Sequence, residues 1–212
     1  MPPTAHTPTF SVDWTSHHFP DWLRWLASFI GEPVRGLEIG SFEGRSAVWF
    51  FKNILTHPKS SLICIDPWDY AEEKAVVPGG ATHIARQFDW GQVSHRFRAN
   101  TEPYRHRCLV MPFSSTVAAP LIPRQPSLAF AYVDGSHTAA AALSDAVFLW
   151  PRLGAGSILI WDDYGWTQNK TAPGWDNELL RPKLGIDRFL EVFANQYDEL
   201  EISNEQVKIR KL

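Results

Sequence analysis

Only two cysteines, Cys64 and Cys108, occur in 212 residues, and they form no CxxC pair. Neither a disulfide framework nor a thiolate metal site therefore organises the chain. Both lie in apolar stretches that read as strands, where a reduced, buried thiol is expected. No apolar run approaches the roughly 20 residues needed to cross a bilayer. The first ten residues lack a basic flank followed by an apolar core, so no secretory leader is expected and a cytoplasmic location follows. An excess of one charge sign is missing too: 20 basic against 23 acidic side chains leave a net charge of −3. That excludes a broad electrostatic footprint for nucleic acid. The short basic groups Arg105–His106–Arg107 and Lys208–Ile209–Arg210–Lys211 read as solvated edges. Internal repeats and low-complexity tracts are absent as well.

What is present suits one globular domain: 44% hydrophobic residues, 20% charged, and an unusual ten tryptophans. Phe19–Pro20–Asp21 reads as a helix start, with Asp21 near the positive end. Trp22, Trp25, Leu26 and Phe29 then form one apolar helical face, and Gly31 stops it. We expect residues 1–33 to pack as a helical extension on a core domain of residues 34–212. From Val34 the pattern alternates. Leu37–Gly40 reads as a strand, 41–44 as a turn and Arg45–Leu55 as a helix. Ser60–Asp66 is a second strand, whose unbroken apolar run suits a sheet covered on both faces. Cys108–Met111 and Leu128–Asp134 follow as strands. After Leu128–Asp134 comes a helix whose buried face is marked by Leu143, Ala146, Val147 and Trp150. Gly154–Ala155–Gly156 ends it, and Ser157–Trp161 is a fifth strand. Ile186, Phe189, Leu190 and Phe193 form a last helical face, and Leu200–Ile202 with Val207–Ile209 a closing hairpin. Segments 67–103 and 165–184 read as variable loops. Alternating strands and helices predict an α/β fold with a parallel sheet between helical layers.

Ligands of such sheets bind beyond the carboxyl ends of the strands, and Asp66, Asp134, Asp162 and Asp163 all fall there. The turn Gly40–Ser41–Phe42–Glu43–Gly44 joins the first strand to its helix. Glycines there let a backbone approach a ligand, although any tight turn wants one. Against the dinucleotide pattern GxGxxG, Phe42 replaces the second glycine and Arg45 the third. Phe42 would obstruct a pyrophosphate and Glu43 would repel it, so a cofactor without phosphate, carrying positive charge, is favoured. Asp66 can accept hydrogen bonds from ribose hydroxyls, or serve as a turn aspartate before Pro67.

Asp134, Asp162 and Asp163 gathered in one cleft would repel one another unless a cation or shared proton offset them. Their hard oxygens suit magnesium, calcium or manganese. Successive strand residues point to opposite faces, so Asp162 and Asp163 share an ion only if the chain bends between them. His137, three residues after Asp134, can act as a general base near neutral pH, or be a turn histidine beside a Ser136 helix cap. His17–His18, His83 and His95 have no second element beside them and receive no role.

The run Leu37–Ser46, then Ile65–Trp68, Tyr132–His137 and Leu153–Tyr164, resembles class I S-adenosylmethionine-dependent methyltransferases over about residues 34–205. Within that class it is most similar to bacterial metal-dependent O-methyltransferases of the macrolide-sugar and catechol kind. The resemblance implies a Rossmann-like, mostly parallel seven-stranded sheet with a C-terminal antiparallel hairpin. It also implies S-adenosylmethionine and Mg2+ as cofactors. Glu38, Gly40, Ser41 and Gly44 would line the cofactor, Asp66 would hold its ribose, and Ser114 would lie near the adenine. Asp134 would border the cofactor and, with Asp162 and Asp163, ligate the metal; His137 would be the base. The expected partner is a small-molecule acceptor bearing a sugar or phenolic hydroxyl, with no nucleic acid and no membrane. Trp68, Tyr70, Trp90, Trp166 and Trp175 would roof that acceptor or pack a homo-oligomer interface. A metal-independent methyltransferase, a nicotinamide-dependent oxidoreductase and a non-catalytic adenosine- or partner-binding protein are the alternatives.

Overall fold

The computed structural model describes residues 7–69, 87–167 and 177–212; Tyr70, His83 and Trp175 lie outside them. Seven strands form one sheet: β1 (Arg35–Ile39), β2 (Ser61–Ile65), β3 (Cys108–Met111), β4 (Leu128–Val133), β5 (Leu153–Trp161), β6 (Tyr197–Ile202) and β7 (Val207–Lys211). Their spatial order is β3-β2-β1-β4-β5-β7-β6. β1 to β5 pair in parallel, and β7 runs antiparallel to both β5 and β6. The expected Rossmann-like architecture is the observed one.

Alternation along the strands assigns side chains to two faces. Leu37, Ile39, Ala131, Val133, Leu159 and Trp161 meet α5 (Ala139–Leu149) and α6 (Pro182–Val192) through Ala142, Ala146, Leu149, Ile186 and Phe189. On the other face Leu62, Cys64, Phe130, Tyr132, Ile158 and Ile160 pack under α1 (Phe19–Leu26), α2 (Arg45–Asn53) and α3 (Trp90–Thr101). Trp22 stacks on Phe50 at 5.1 Å and meets Tyr132 edge-on at 4.8 Å. Its indole N–H donates to Gln206 Oε1 at 2.9 Å, joining α1 to the turn that leads into β7.

The structure corrects the sequence reading of several elements. Segment 67–103 holds α3, whose Asp89 cap accepts from the Gln92 N–H at 3.1 Å and whose buried stripe is Val93, Phe97, Asn100 and Thr101. Half of that stripe is polar, which hid its period. Gly154–Gly156 does not end α5: a turn over Trp150–Arg152 does, and the glycines belong to β5. There the register slips between Leu128↔Leu153 and Phe130↔Ile158, a bulge that Gly156 accommodates at φ +78°. Val147 is 47% exposed, because the buried stripe of α5 runs through Ala142, Ala146 and Leu149 instead. Lys208 is no solvated edge: it is 1% exposed and pairs with Glu201 at 3.1 Å. Arg107 likewise donates to the carbonyls of Leu55, His57 and Ser60. Among the described residues no helix is long and apolar enough to cross a membrane.

Candidate active site

Strand order reverses between β1 and β4, and the ligand crevice of such sheets opens there. The Asp134 N–H donates to the Ile39 carbonyl at 2.8 Å, and the Asp162 N–H to that of Val133 at 2.9 Å, so three strand ends are stitched side by side.

Gly40 has φ +84°, and a Cβ there would fall 1.8 Å from the Asp134 carbonyl. The glycine is therefore required by the close passage of two strands. Gly44 at φ +79° would place a Cβ 2.9 Å from Phe97 of α3, so helix packing also requires a glycine there. Asp66 turns back on the turn: one carboxylate oxygen accepts from the N–H groups of Ser41 and Phe42 at 2.8 and 2.9 Å, the other from Trp68 N–H at 2.7 Å. Burial outweighs these bonds and raises its pKa. Glu38 is buried against Ser46, whose hydroxyl donates to it at 2.9 Å; burial raises it to about 7. Ser114 sits, half-buried, ahead of the short helix α4 (Ser115–Ala118).

Glu43 does not face the crevice. It is 1% exposed, pairs with Arg96 of α3, and accepts from Ser11 through both the backbone N–H (2.6 Å) and the hydroxyl (2.8 Å). Asn100 bridges the carbonyls of Glu43 and Thr9, and Arg45 reaches the Val12 carbonyl. The glycine turn thus straps the N-terminal segment down. Phe42, at φ +45°, joins Trp14, Phe88 and Trp90 in an aromatic cluster. With its charge neutralised by Arg96, Glu43 gives no ground for excluding phosphate.

The acidic rim is built differently. Asp134 and Asp162 share the face of Tyr132, and its hydroxyl contacts both carboxylates, Asp134 at 2.9 Å. A phenol carries one proton, so it cannot donate to both. The next residue, Asp163, has φ +58°, the bend that carries its side chain to His137 Nε2 at 2.8 Å. Ligand atoms of Asp134, His137 and Asp163 all lie within 4.8 Å of one another. Trp166 packs on the His137 ring at 4.7 Å. Thr138, not Ser136, caps α5, accepting from the Ala141 N–H at 3.2 Å.

Burial, then the charges of Asp162 and Asp163, pushes Asp134 well above the usual carboxylate range. Burial, then Asp163, raises Asp162 to about 6. For Asp163 burial works upward, but His137 holds it below its ordinary value. Two neighbours were missed in the sequence. Tyr132 reads as a core aromatic, and His18 lies over a hundred positions from any rim residue. Yet His18 is 8% exposed with Nε2 3.6 Å from Asp162 Oδ1; burial lowers it to about 4. The only advance signal was parity, since Asp162 follows Ile158 and Ile160 on the α1 face.

A broad depression of about 550 Å³ lies at the opposite edge, lined by Arg35, Lys59, Pro126 and Gly156, and gathers no acid–base pair. The smaller cleft between Asp134, His137, Asp163 and Pro182 does.

A parallel sheet closed by an antiparallel pair, with its crevice at the β1/β4 switch, is the architecture of class I S-adenosylmethionine-dependent methyltransferases, and this protein is one. The family model for the methyltransferase domain matches residues 37–164, more than half of the chain, and the chain belongs to that family. Among solved structures it is similar to the O-methyltransferase TomG from Streptomyces achromogenes, in complex with S-adenosylmethionine. Identity is 14% over 97% of this chain and 83% of that one, with a TM-score of 0.61. An O-methyltransferase from Bacillus cereus in complex with S-adenosylhomocysteine aligns over 98% and 84%, at 15% identity and TM-score 0.59. MycE of the mycinamycin biosynthetic pathway, in complex with Mg and S-adenosylhomocysteine, aligns over 94% and 51%, at 15% identity and TM-score 0.60. No curated protein sequence matches the chain significantly.

Proposed function

We propose that the protein transfers a methyl group from S-adenosylmethionine to a hydroxyl of a small sugar or phenolic molecule, assisted by a divalent cation of the magnesium type. The carrying observation is the surplus of anionic oxygen at the rim: Asp134 and Asp162 meet one phenolic hydroxyl, with Asp163 a bend away. A hard cation offsets such a surplus, and three carboxylates are its preferred donors. Asp134, Asp162 and Asp163 would hold it. When bound, it supplies a Lewis acid that lowers the pKa of the acceptor hydroxyl. Complexes of structurally similar proteins with S-adenosylmethionine, S-adenosylhomocysteine and magnesium support this reading.

The residues of the chain divide the remaining work. Glu38, Gly40, Ser41, Gly44, Asp66 and Ser114 border or shape the cofactor side of the crevice. Tyr132 holds Asp134 and Asp162 in register. His137 accepts the proton of the acceptor hydroxyl, and the Asp163 carboxylate 2.8 Å away offsets the charge the ring gains. Trp166 fixes the ring plane. Alignment of acceptor and methyl donor supplies the greater part of the rate.

The double variant Asp162→Ala/Asp163→Ala tests this. We expect methyl transfer to fall at least about 100-fold and its chelator sensitivity to vanish, while affinity for S-adenosylhomocysteine stays within about threefold of the parent. Full activity of the double variant after metal stripping would refute the role of the cation.

A further inference from the structure

A second group of donor atoms lies beside Asp162. His17 and His18 occupy the single 3-10 turn Ser16–His18 that precedes α1, and Glu205 sits in the turn between β6 and β7. His17 Nε2 is 3.2 Å from Glu205 Oε2, and His18 Nδ1 is 3.9 Å from the same oxygen. One ligand atom from each of the three residues lies within 4.8 Å of the other two. Tetrahedral zinc ligands at about 2.0–2.1 Å from the metal stand roughly 3.4 Å apart. The cluster therefore needs side-chain adjustment only.

His18 has the surroundings of a metal ligand as well as the position. Nδ1 faces Glu205, while Nε2 faces the Asp162 carboxylate at 3.6 Å. A ligating imidazole characteristically points its second nitrogen at a carboxylate, which fixes its tautomer and orientation. Trp22 lies nearly parallel to the ring, with centroids 6.1 Å apart. His17 and Glu205 are exposed, so solvent can reach the site and fill a fourth position. Two imidazoles and one carboxylate form a borderline-soft donor set that selects zinc, nickel or copper over magnesium. The rim, with its three carboxylates, has the opposite preference.

We propose that His17, His18 and Glu205 form a transition-metal site of the zinc type, adjoining the hard-cation rim through Asp162, that clamps the N-terminal segment to the β6–β7 turn. The same turn accepts hydrogen bonds from the residues following Asp163: Tyr164 N–H to the Glu205 carbonyl at 2.9 Å, and Gly165 N–H to that of Asn204 at 2.7 Å. Metal at Glu205 therefore tightens the backbone that leads from Asp163 to Trp166. Zinc binding here is independent of the identity of the methyl acceptor and of catalysis.

The test is zinc titration of the untagged, chelator-stripped protein, competed against a chromophoric chelator with excess magnesium present. Wild type should bind one equivalent at micromolar concentration and gain melting temperature as it does so. His17→Ala and Glu205→Gln, both at exposed positions, should weaken binding at least about tenfold and abolish that gain. Asp163→Asn should leave zinc affinity within about twofold. Two results overturn the site: zinc affinity unchanged in His17→Ala and Glu205→Gln, or wild type that binds no zinc up to about millimolar concentration.

Discussion

Two regions far apart in sequence treat enclosed carboxylates in opposite ways. In the strap over the glycine turn, Glu43 is enclosed and fully answered: a guanidinium, a backbone N–H and a hydroxyl converge on it. At the rim, half-buried Asp134 and Asp162 crowd against one phenol, and the other oxygen of Asp162 meets the Asp163 N–H at 2.9 Å and His18 Nε2 at 3.6 Å. A buried charge with matched partners holds structure together, whereas crowded charges without them leave a place for something else. What separates the two is the supply of donors: a cation and two further donors converge on Glu43, whereas the rim gathers carboxylates.

The strap should break first and hardest. Glu43→Ala removes three donors' acceptor and strands Arg96, for a loss of about 3 kcal/mol after allowance for the partial exposure of Arg96. Urea denaturation would measure it, and a loss below about 0.5 kcal/mol would erase the contrast with the rim.

Glu38 lies between the two regimes, buried with a hydroxyl on only one oxygen. Its folded pKa is raised from 4.5 to about 7, so the native state keeps the proton longer than the unfolded chain does. Stability from this group is complete below about pH 4.5 and is lost as pH rises through about 7. Asp145 and Asp162, each raised to about 6, act in the same direction, and His18, lowered to about 4, acts against them. Glu38→Gln isolates its share. Between pH 5 and 8 the variant should lose about 2 kcal/mol less stability than wild type, as followed by denaturation midpoints. Parallel pH profiles would show that Glu38 is already compensated, like Glu43.

The smallest effect is expected at the rim. Asp163→Asn keeps a residue that tolerates φ +58° and gives up one partly exposed ion pair with His137. Metal-free stability should change by less than about 1 kcal/mol, while any rise of melting temperature with magnesium disappears. A large loss of metal-free stability would place Asp163 with Glu43 among the structural acids.

Much of this arrangement was legible beforehand. The unbroken apolar run Leu62–Ile65 announced a strand covered on both faces, and the Asp162–Asp163 pair after Trp161 announced an acidic strand end. Helix α3 was hidden because Asn100 and Thr101 fill half of its buried stripe. Glu43 was misjudged for a different reason: its partners Arg96 and Ser11 stand 53 and 32 residues away. Nothing local reveals which way a turn carboxylate faces.

The chain order of residue types alone determined the alternation of strands and helices, and with it the gathering of Asp66, Asp134, Asp162 and Asp163 at one edge of a parallel sheet. Periodicity is a local property, and strand ends follow from it. Only the tertiary structure decided which acids acquire partners. Pairing requires side chains from remote segments to meet: Arg96 with Glu43, His18 with Asp162, Tyr132 between two aspartates. Those meetings depend on how helices pack across the sheet, a matter of long-range geometry that no local pattern encodes.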